Sequence, residues 1–350
     1  MDRDTAFQVA SLSKLATAWG VMTLVDAGKV ELDAPVSRYL TRWALPETEF
    51  DNAQVTIRRL LSHMAGLTDG LGYAGFPPGA PVQPLEASLT SAADASPGAS
   101  GSVRVGRPPG TEFQYSGGGY TLLQLLIEEV GGESFEAYMQ RAVFGPLEMR
   151  HSTFVWHEGG DGKLAEFYDV DSRPATHYRF TSLAATSLYT SVADLTRLLL
   201  AHLPGRQGEP VGRNVLRAET LEQMRQPHAW QLGFAIWGLG TILYAGNNAG
   251  SFIIGHDGNN EPAINTALRL NPATGNGIII LETGNRLLAT RLAGEWVFWE
   301  TAQLDLFTVM MESRQMLQVI AAGWSAILLG AVILGWRRRR AGRIAATRAA

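Results

Sequence analysis

Ser11 and Lys14 stand three residues apart in Phe7-Gln-Val-Ala-Ser11-Leu-Ser-Lys14, directly ahead of an apolar run from Leu15 to Val25 closed by Asp26-Ala27-Gly28. Residues three apart on a helix share a face, so a lysine amine in the first turn lies beside the serine hydroxyl. A serine hydroxyl is a weak nucleophile until a neighbouring base takes its proton. Lysine becomes such a base when burial lowers its pKa, and the apolar helix behind Lys14 favours burial. A helix N-terminus adds free backbone N–H groups and a partial positive charge, which suit an oxyanion. Ser-x-x-Lys alone is a short pattern that recurs on solvated surfaces, so other stretches have to support it.

Two later stretches do. Phe113-Gln-Tyr115-Ser-Gly117-Gly-Gly-Tyr120 sets a tyrosine just before a glycine run and an amphipathic helix. Ile253-Ile-Gly-His256-Asp-Gly258-Asn259-Asn ends a β-rich run with a histidine and a glycine. Taken singly, Tyr115 reads as a core tyrosine and His256 as a satisfied strand histidine; their order along the chain argues otherwise. Ser-x-x-Lys, Tyr-Ser-Gly and His-x-Gly in this order resemble the serine β-lactamase and penicillin-binding-protein superfamily, and most nearly its class C branch of β-lactamases, esterases and D-peptidases. Val55-Thr-Ile-Arg-Arg-Leu-Leu-Ser-His63-Met-Ala-Gly-Leu67 and Gly145-Pro-Leu-Glu-Met149 agree with it. The resemblance runs from about Phe7 to about Asn285.

The resemblance implies roles. Ser11 is the nucleophile that forms an acyl-enzyme, and Lys14 and Tyr115 share the work of general base and proton donor. His256 orients a substrate carboxylate or hydrogen-bonds Tyr115. The backbone N–H groups of Ser11 and of Asn259, just after Gly258, form the oxyanion hole. Gly117 stands where many β-lactamases of this branch carry an asparagine that contacts the acyl side chain of the drug. A glycine there removes a side-chain donor and is expected to open space, which favours an esterase or D-amino-acid peptidase over a dedicated β-lactamase. The substrate is then a small ester, a β-lactam or a D-peptide. A membrane protein that keeps the fold as a non-catalytic peptidoglycan- or peptide-binding module is the alternative.

Other chemistries find less support. Asp257 beside His256 does not make a Ser-His-Asp triad, because adjacent strand residues point to opposite faces. No Gly-x-Ser-x-Gly elbow is present. The histidines form no His-Glu-x-x-His and cysteine is absent, so no metal site and no cofactor are expected.

With 350 residues, 46% of them hydrophobic and 18% charged, the chain has enough apolar material for a large core. Thr56 caps a helix through Ser62, Thr121 to Val130 forms a helix, Ser134 caps another that ends at Gly145-Pro146, and Ser191 opens one through Leu203. Gly-, Pro-, Ser- and Ala-rich sequence from Asp69 to Gly110 reads as a long loop at the mouth of the site. Strands are expected at Gln231–Leu243, Ser251–Ile254, Ala263–Leu270 and Gly277–Glu282, with a closing helix from Arg291 to Gln303. The fold class is α+β: an antiparallel sheet flanked by helices, with a helical region between the motifs. The resemblance adds a five-stranded sheet. It also places a helix and the first strands ahead of the nucleophile, which ten residues cannot supply, so the domain (1–305) is expected to lack its N-terminal part.

The C-terminal residues are of another kind. Leu317 to Trp336 carries no charge, and at 1.5 Å per residue spans a bilayer. Arginine fills Arg337 to Arg340, Arg343 and Arg348 with no acid among them; the remainder keeps 23 basic against 33 acidic residues, about −10. The acidic body speaks against nucleic-acid binding. The expected organisation is a short juxtamembrane segment (306–316), a transmembrane helix (317–336) and a basic cytoplasmic tail (337–350), with the hydrolase outside the cell membrane.

Overall fold

The computed structural model describes residues 1–70, 72–157, 162–305, 307, 309, 317–334 and 336. The chain divides into two units, Met1–Asp305 and Leu306–Ala350.

In the first unit, strand β1 (Phe7–Gln8) leads into a 3₁₀ turn, Ala10–Leu12, and then α1 (Ser13–Asp26). The sequence placed Ser11 inside the helix; it lies in this turn instead, and Lys14 is the second residue of α1. Then follow α2 (Ile57–Leu61), α3 (Leu85–Thr90), α4 (Gly117–Gly131) and α5 (Phe135–Met139). Thr56 caps α2 by accepting from Arg59 N, and Ser134 caps α5 by accepting from Ala137 N. Strands β2 (Phe167–Tyr168) and β3 (Pro174–Ala175) pair with each other, and α6 (Leu183–Thr186) precedes β4 (Tyr189–Thr190), which pairs with β1. Helices α7 (Val192–Leu200) and α8 (Ala218–Arg225) lead to the main sheet.

That sheet holds β5 (Ala229–Gln231), β6 (Phe234–Trp237), β7 (Ile242–Gly246), β8 (Phe252–Asn260), β9 (Ile264–Leu270) and β10 (Gly277–Thr283). Its order is β10-β9-β8-β7-β6-β5, antiparallel throughout, so it has six strands where five were expected. The first expected strand, Gln231–Leu243, is divided among β5, β6 and β7, with turns at Gly233 (φ of +82°) and Gly240 (φ of +77°). Helix α9 (Leu288–Thr301) closes the unit, its Ala289 and Ala293 against Ala267 of β9. The other face of the sheet, through Leu243, Ile254 and Leu268, joins the main core with Leu12 and Leu15.

Helix α4 begins four residues earlier than its apolar period predicts. Glycine is a poor helix former, but Ser116 accepts from Gly119 N and caps the glycine turn. Side chains would not fit there: a Cβ on Gly118 would lie 2.5 Å from Val103 Cγ2 and 2.8 Å from the Asp69 carboxyl carbon. Beyond that turn Leu122, Leu123, Leu125, Leu126 and Ile127 are fully buried, each contributing about 1.5–3 kcal/mol by the usual burial scale.

The second unit contains one described helix long and apolar enough to cross a bilayer, Leu317–Leu334. The expected basic tail lies outside the described residues, as does most of the juxtamembrane segment.

Candidate active site

The turn carrying Ser11 is held under strain. Ala10 has φ of +49°, a left-handed conformation that costs a non-glycine residue roughly 1–2 kcal/mol. It is pinned from both sides. Val9 N donates to Leu188 O at 2.8 Å, Ser13 Oγ donates to Ala10 O at 2.6 Å, and Thr266 Oγ1 donates to Val9 O at 2.9 Å. Gly258 is what lets β8 pass this close: a Cβ there would stand 2.1 Å from Val9 O and 2.4 Å from Thr266 Oγ1. The glycine of His-x-Gly therefore has a steric cause.

Lys14 reaches the serine from α1. Its Nζ lies 3.1 Å from Ser11 Oγ and donates to Ala185 O in α6 at 2.7 Å. Lys14 is buried, and burial pulls its pKa down to about 7, opposed by the negative charge of Asp69. Near neutrality a large share of these amines is uncharged and can accept a proton.

Tyr115 completes the group. Its hydroxyl hydrogen-bonds the Ser11 side chain, while Lys14 Nζ lies 4.9 Å from its ring centroid. Burial raises the Tyr115 pKa, outweighing the Ser11 bond, so Tyr115 is a neutral phenol at pH 7. At pH 7 this arrangement therefore offers one group able to accept a proton, Lys14, and one able to donate, Tyr115.

Two residues without an assigned role in the sequence reading hold Tyr115 in place. His63 accepts from Ser116 N through Nδ1 at 3.2 Å, and its ring lies 4.4 Å from that of Tyr115. Burial, with the charge of Lys14 second, keeps His63 neutral. Asp69 accepts from Ser116 Oγ at 2.5 Å and from Gly118 N at 2.6 Å. His63 belongs to the Val55–Leu67 stretch that agrees with the family pattern, which was the available signal; Asp69 follows two residues later with none.

Ser11, Lys14, Gly117 and Asn259 line one cleft of about 120 Å³, together with Tyr73 and Asn260. Strand β8 runs to Asn260, whereas its pairing with β7 stops at Gly255. From His256 onward β8 thus has a free edge beside the Ser11 turn. A larger cavity of about 480 Å³, with Phe154, Trp156, Phe180 and Leu183 in its walls, includes neither Ser11 nor Lys14.

His256 is buried behind this cleft and is absent from its lining. Its Nδ1 lies 2.6 Å from Asp257 O, its ring packs edge-on to Trp237, and Nε2 has no hydrogen-bond partner among the described residues. Burial, with Lys14 second, holds its pKa to about 3. A neutral, enclosed imidazole is poorly suited to bind a carboxylate directly. Asp257 faces the other way, as strand alternation requires, and pairs with the buried Arg269 at 2.7 and 3.1 Å. Arg269 also reaches Asp305 at 3.2 Å and lies 3.4 Å from the Tyr244 ring centroid.

Nor is the space beside Gly117 open. The Tyr73 ring occupies it: a Cβ on Gly117 would be 3.0 Å from Tyr73 Cε2.

The Beta-lactamase family model matches residues 1–301. The chain belongs to the beta-lactamase family. Penicillin-binding protein 4 of Amycolatopsis lactamdurans is 29% identical over 300 residues, 80% of this chain and 73% of that protein. Esterase EstB of Burkholderia gladioli is 31% identical over 165 residues, 44% of this chain and 40% of the esterase. Among solved structures, the octameric penicillin-binding protein homologue from Pyrococcus abyssi matches with a TM-score of 0.65 at 25% identity, covering 86% of this chain and 67% of that one. The mixed helix and antiparallel-sheet architecture is that of the penicillin-binding proteins and β-lactamases, as the motif order implied. The protein is a serine hydrolase of this family.

Proposed function

We propose that the protein is a membrane-anchored serine hydrolase cleaving small esters and D-amino-acid peptide bonds through an acyl-enzyme on Ser11, with at most slow turnover of β-lactams. One observation carries the reading: Ser11 Oγ has a buried amine at 3.1 Å whose pKa lies near 7, and a neutral phenol on its other side. In the first half-reaction Ser11 Oγ adds to the substrate carbonyl as its proton passes to neutral Lys14. The backbone N–H groups of Ser11 and Asn259 stabilise the oxyanion. Collapse breaks the bond to the leaving group, which takes the proton from the Lys14 ammonium through Tyr115. Water, deprotonated by the same amine, then releases the acid and restores Ser11. His256 stays neutral beside Lys14 and adds no competing positive charge.

Labelling of the full chain in detergent with a fluorescent fluorophosphonate or penicillin tests the assignment. Wild type is expected to label and Ser11→Ala is not. A Ser11→Ala protein that labels and hydrolyses p-nitrophenyl acetate as before removes Ser11 from the mechanism. No labelling or turnover in wild type favours the non-catalytic binding module.

The anchoring rests on Leu317–Leu334 and the arginines after it. In this reading residues 1–305 are the hydrolase, 306–316 the juxtamembrane segment, 317–336 the span and 337–350 a cytoplasmic tail, with the hydrolase on the outer side. A phosphatase fused after Ala350 is expected to be inactive and a fluorescent protein bright. The reverse pair of results excludes this orientation.

A further inference from the structure

We infer that the Tyr73 ring is the end wall of the substrate cleft and confines this hydrolase to short acyl groups. The inference rests on the proposed function and specifies its substrate class.

Tyr73 comes from the long segment between Asp69 and Gly110, not from any of the three motifs. It lines the cleft together with Ser11, Lys14 and Gly117. With Cε2 only 3.0 Å from where a Gly117 Cβ would begin, its ring fills the volume that a side chain at 117 would take. The wall is fixed at both ends. The Tyr73 hydroxyl hydrogen-bonds Thr121 Oγ1 at 2.8 Å, and Thr121 Oγ1 lies 2.5 Å from Ser182 Oγ. On the backbone side Tyr73 pairs with Ala95, and Ala74 N donates to Asp94 O at 2.7 Å. Swinging the ring aside would break a buried hydroxyl chain and leave polar groups unsatisfied.

Size then decides the substrate. The cleft measures about 120 Å³. That suffices for a scissile carbonyl with a two- or three-carbon acyl group, the size of an acetyl, propionyl or alanyl unit. It is far below the ~300 Å³ at which drug-sized pockets begin. While Tyr73 stays in place the acylamido side chain of a β-lactam has to point out of the cleft, which slows acylation without preventing slow labelling.

The test varies only the acyl group, using p-nitrophenyl acetate, butyrate and octanoate with the full chain in detergent. Wild type is expected to lose about tenfold or more in kcat/KM from acetate to octanoate, the scale on which pockets discriminate chain length. Tyr73→Ala is expected to raise the octanoate-to-acetate ratio by at least about tenfold, and Tyr73→Phe to preserve the wild-type ratio because the ring remains. Ratios within one protein do not depend on the folded fraction. Should Tyr73→Ala not fold, Gly117→Ala reads the same wall from the other side, narrowing the cleft and lowering butyrate turnover more than acetate. Equal rates for acetate and octanoate in wild type, or an unchanged ratio in Tyr73→Ala, overturn the wall while leaving the hydrolase intact. No turnover of any ester with no labelling of Ser11 overturns the hydrolase reading, and the wall with it.

Discussion

The amine of Lys14 lies 3.1 Å from the hydroxyl of Ser11 and is held by the carbonyl of Ala185 on its other side, in surroundings that bring its pKa to about 7. In the proposed mechanism only the neutral amine can accept the serine proton. The kcat/KM for p-nitrophenyl acetate is therefore expected to rise with pH through a single ionisation near 7 and level off above it. Tyr115, whose pKa is raised by burial, adds no ionisation below pH 9. A profile flat from pH 5 to 9 would exclude Lys14 as the base.

The same amine carries a stability cost with a definite sign. Its folded pKa is depressed from 10.5 to about 7, so between those values the unfolded chain binds more protons than the folded one. Stability contributed by this group is thus lowest below pH 7 and recovers as pH rises toward 10.5. Lys14→Met should be inactive yet melt higher than wild type at pH 6, with the difference shrinking by pH 10. A variant that melts lower than wild type at pH 6 contradicts a desolvated amine at this position.

Much of this site was legible from residue order alone, and the reasons for what was missed are physical. Ser11, Lys14, Gly117 and Asn259 meet around one cleft, and the Tyr115 hydroxyl joins Ser11, because each sits at a strand or helix end where a motif marks the turn. The helix through Gly117–Gly119 was not legible: glycine is a poor helix former, and the cap of Ser116 and the crowding by Val103 and Asp69 act through space. Tyr73 was hidden for a related reason. Its segment lacks periodicity, and it acts at the cleft through a bridge to Ala95 and a hydroxyl chain to Thr121 that no local pattern records. The freedom ascribed to Gly117 failed for the same cause.

Asp69 links two functions that are separable by experiment. It holds Ser116 Oγ and Gly118 N, which fixes the turn after Tyr115, and its charge raises the Lys14 pKa against burial. Asp69→Asn is expected to lower kcat by about 10- to 100-fold, as loss of a hydrogen-bonded supporting residue does. Its acid limb should also move to lower pH, because the opposing charge is gone. A purely structural role would lower kcat and leave the limb at its wild-type pH.

Arg269 anchors the strand behind the site. The guanidinium is fully buried, bidentate to Asp257, in contact with Asp305 and stacked over Tyr244. Asp257 is the residue between His256 and Gly258, so this cluster fixes the strand that approaches the Ser11 turn. Burial pushes the Asp257 pKa up against the attraction of Arg269. Removing Arg269 leaves two buried carboxyls without their cation. Arg269→Leu should cost about 3–5 kcal/mol, the usual penalty for breaking a buried ion pair from one side, read as the shift in urea midpoint of the Met1–Asp305 unit within the full chain. Adding Asp257→Asn and Asp305→Asn to Arg269→Leu removes both stranded charges and should recover part of that loss. A triple variant no more stable than Arg269→Leu would show that the arginine acts by filling space and stacking on Tyr244, not by neutralising the two acids.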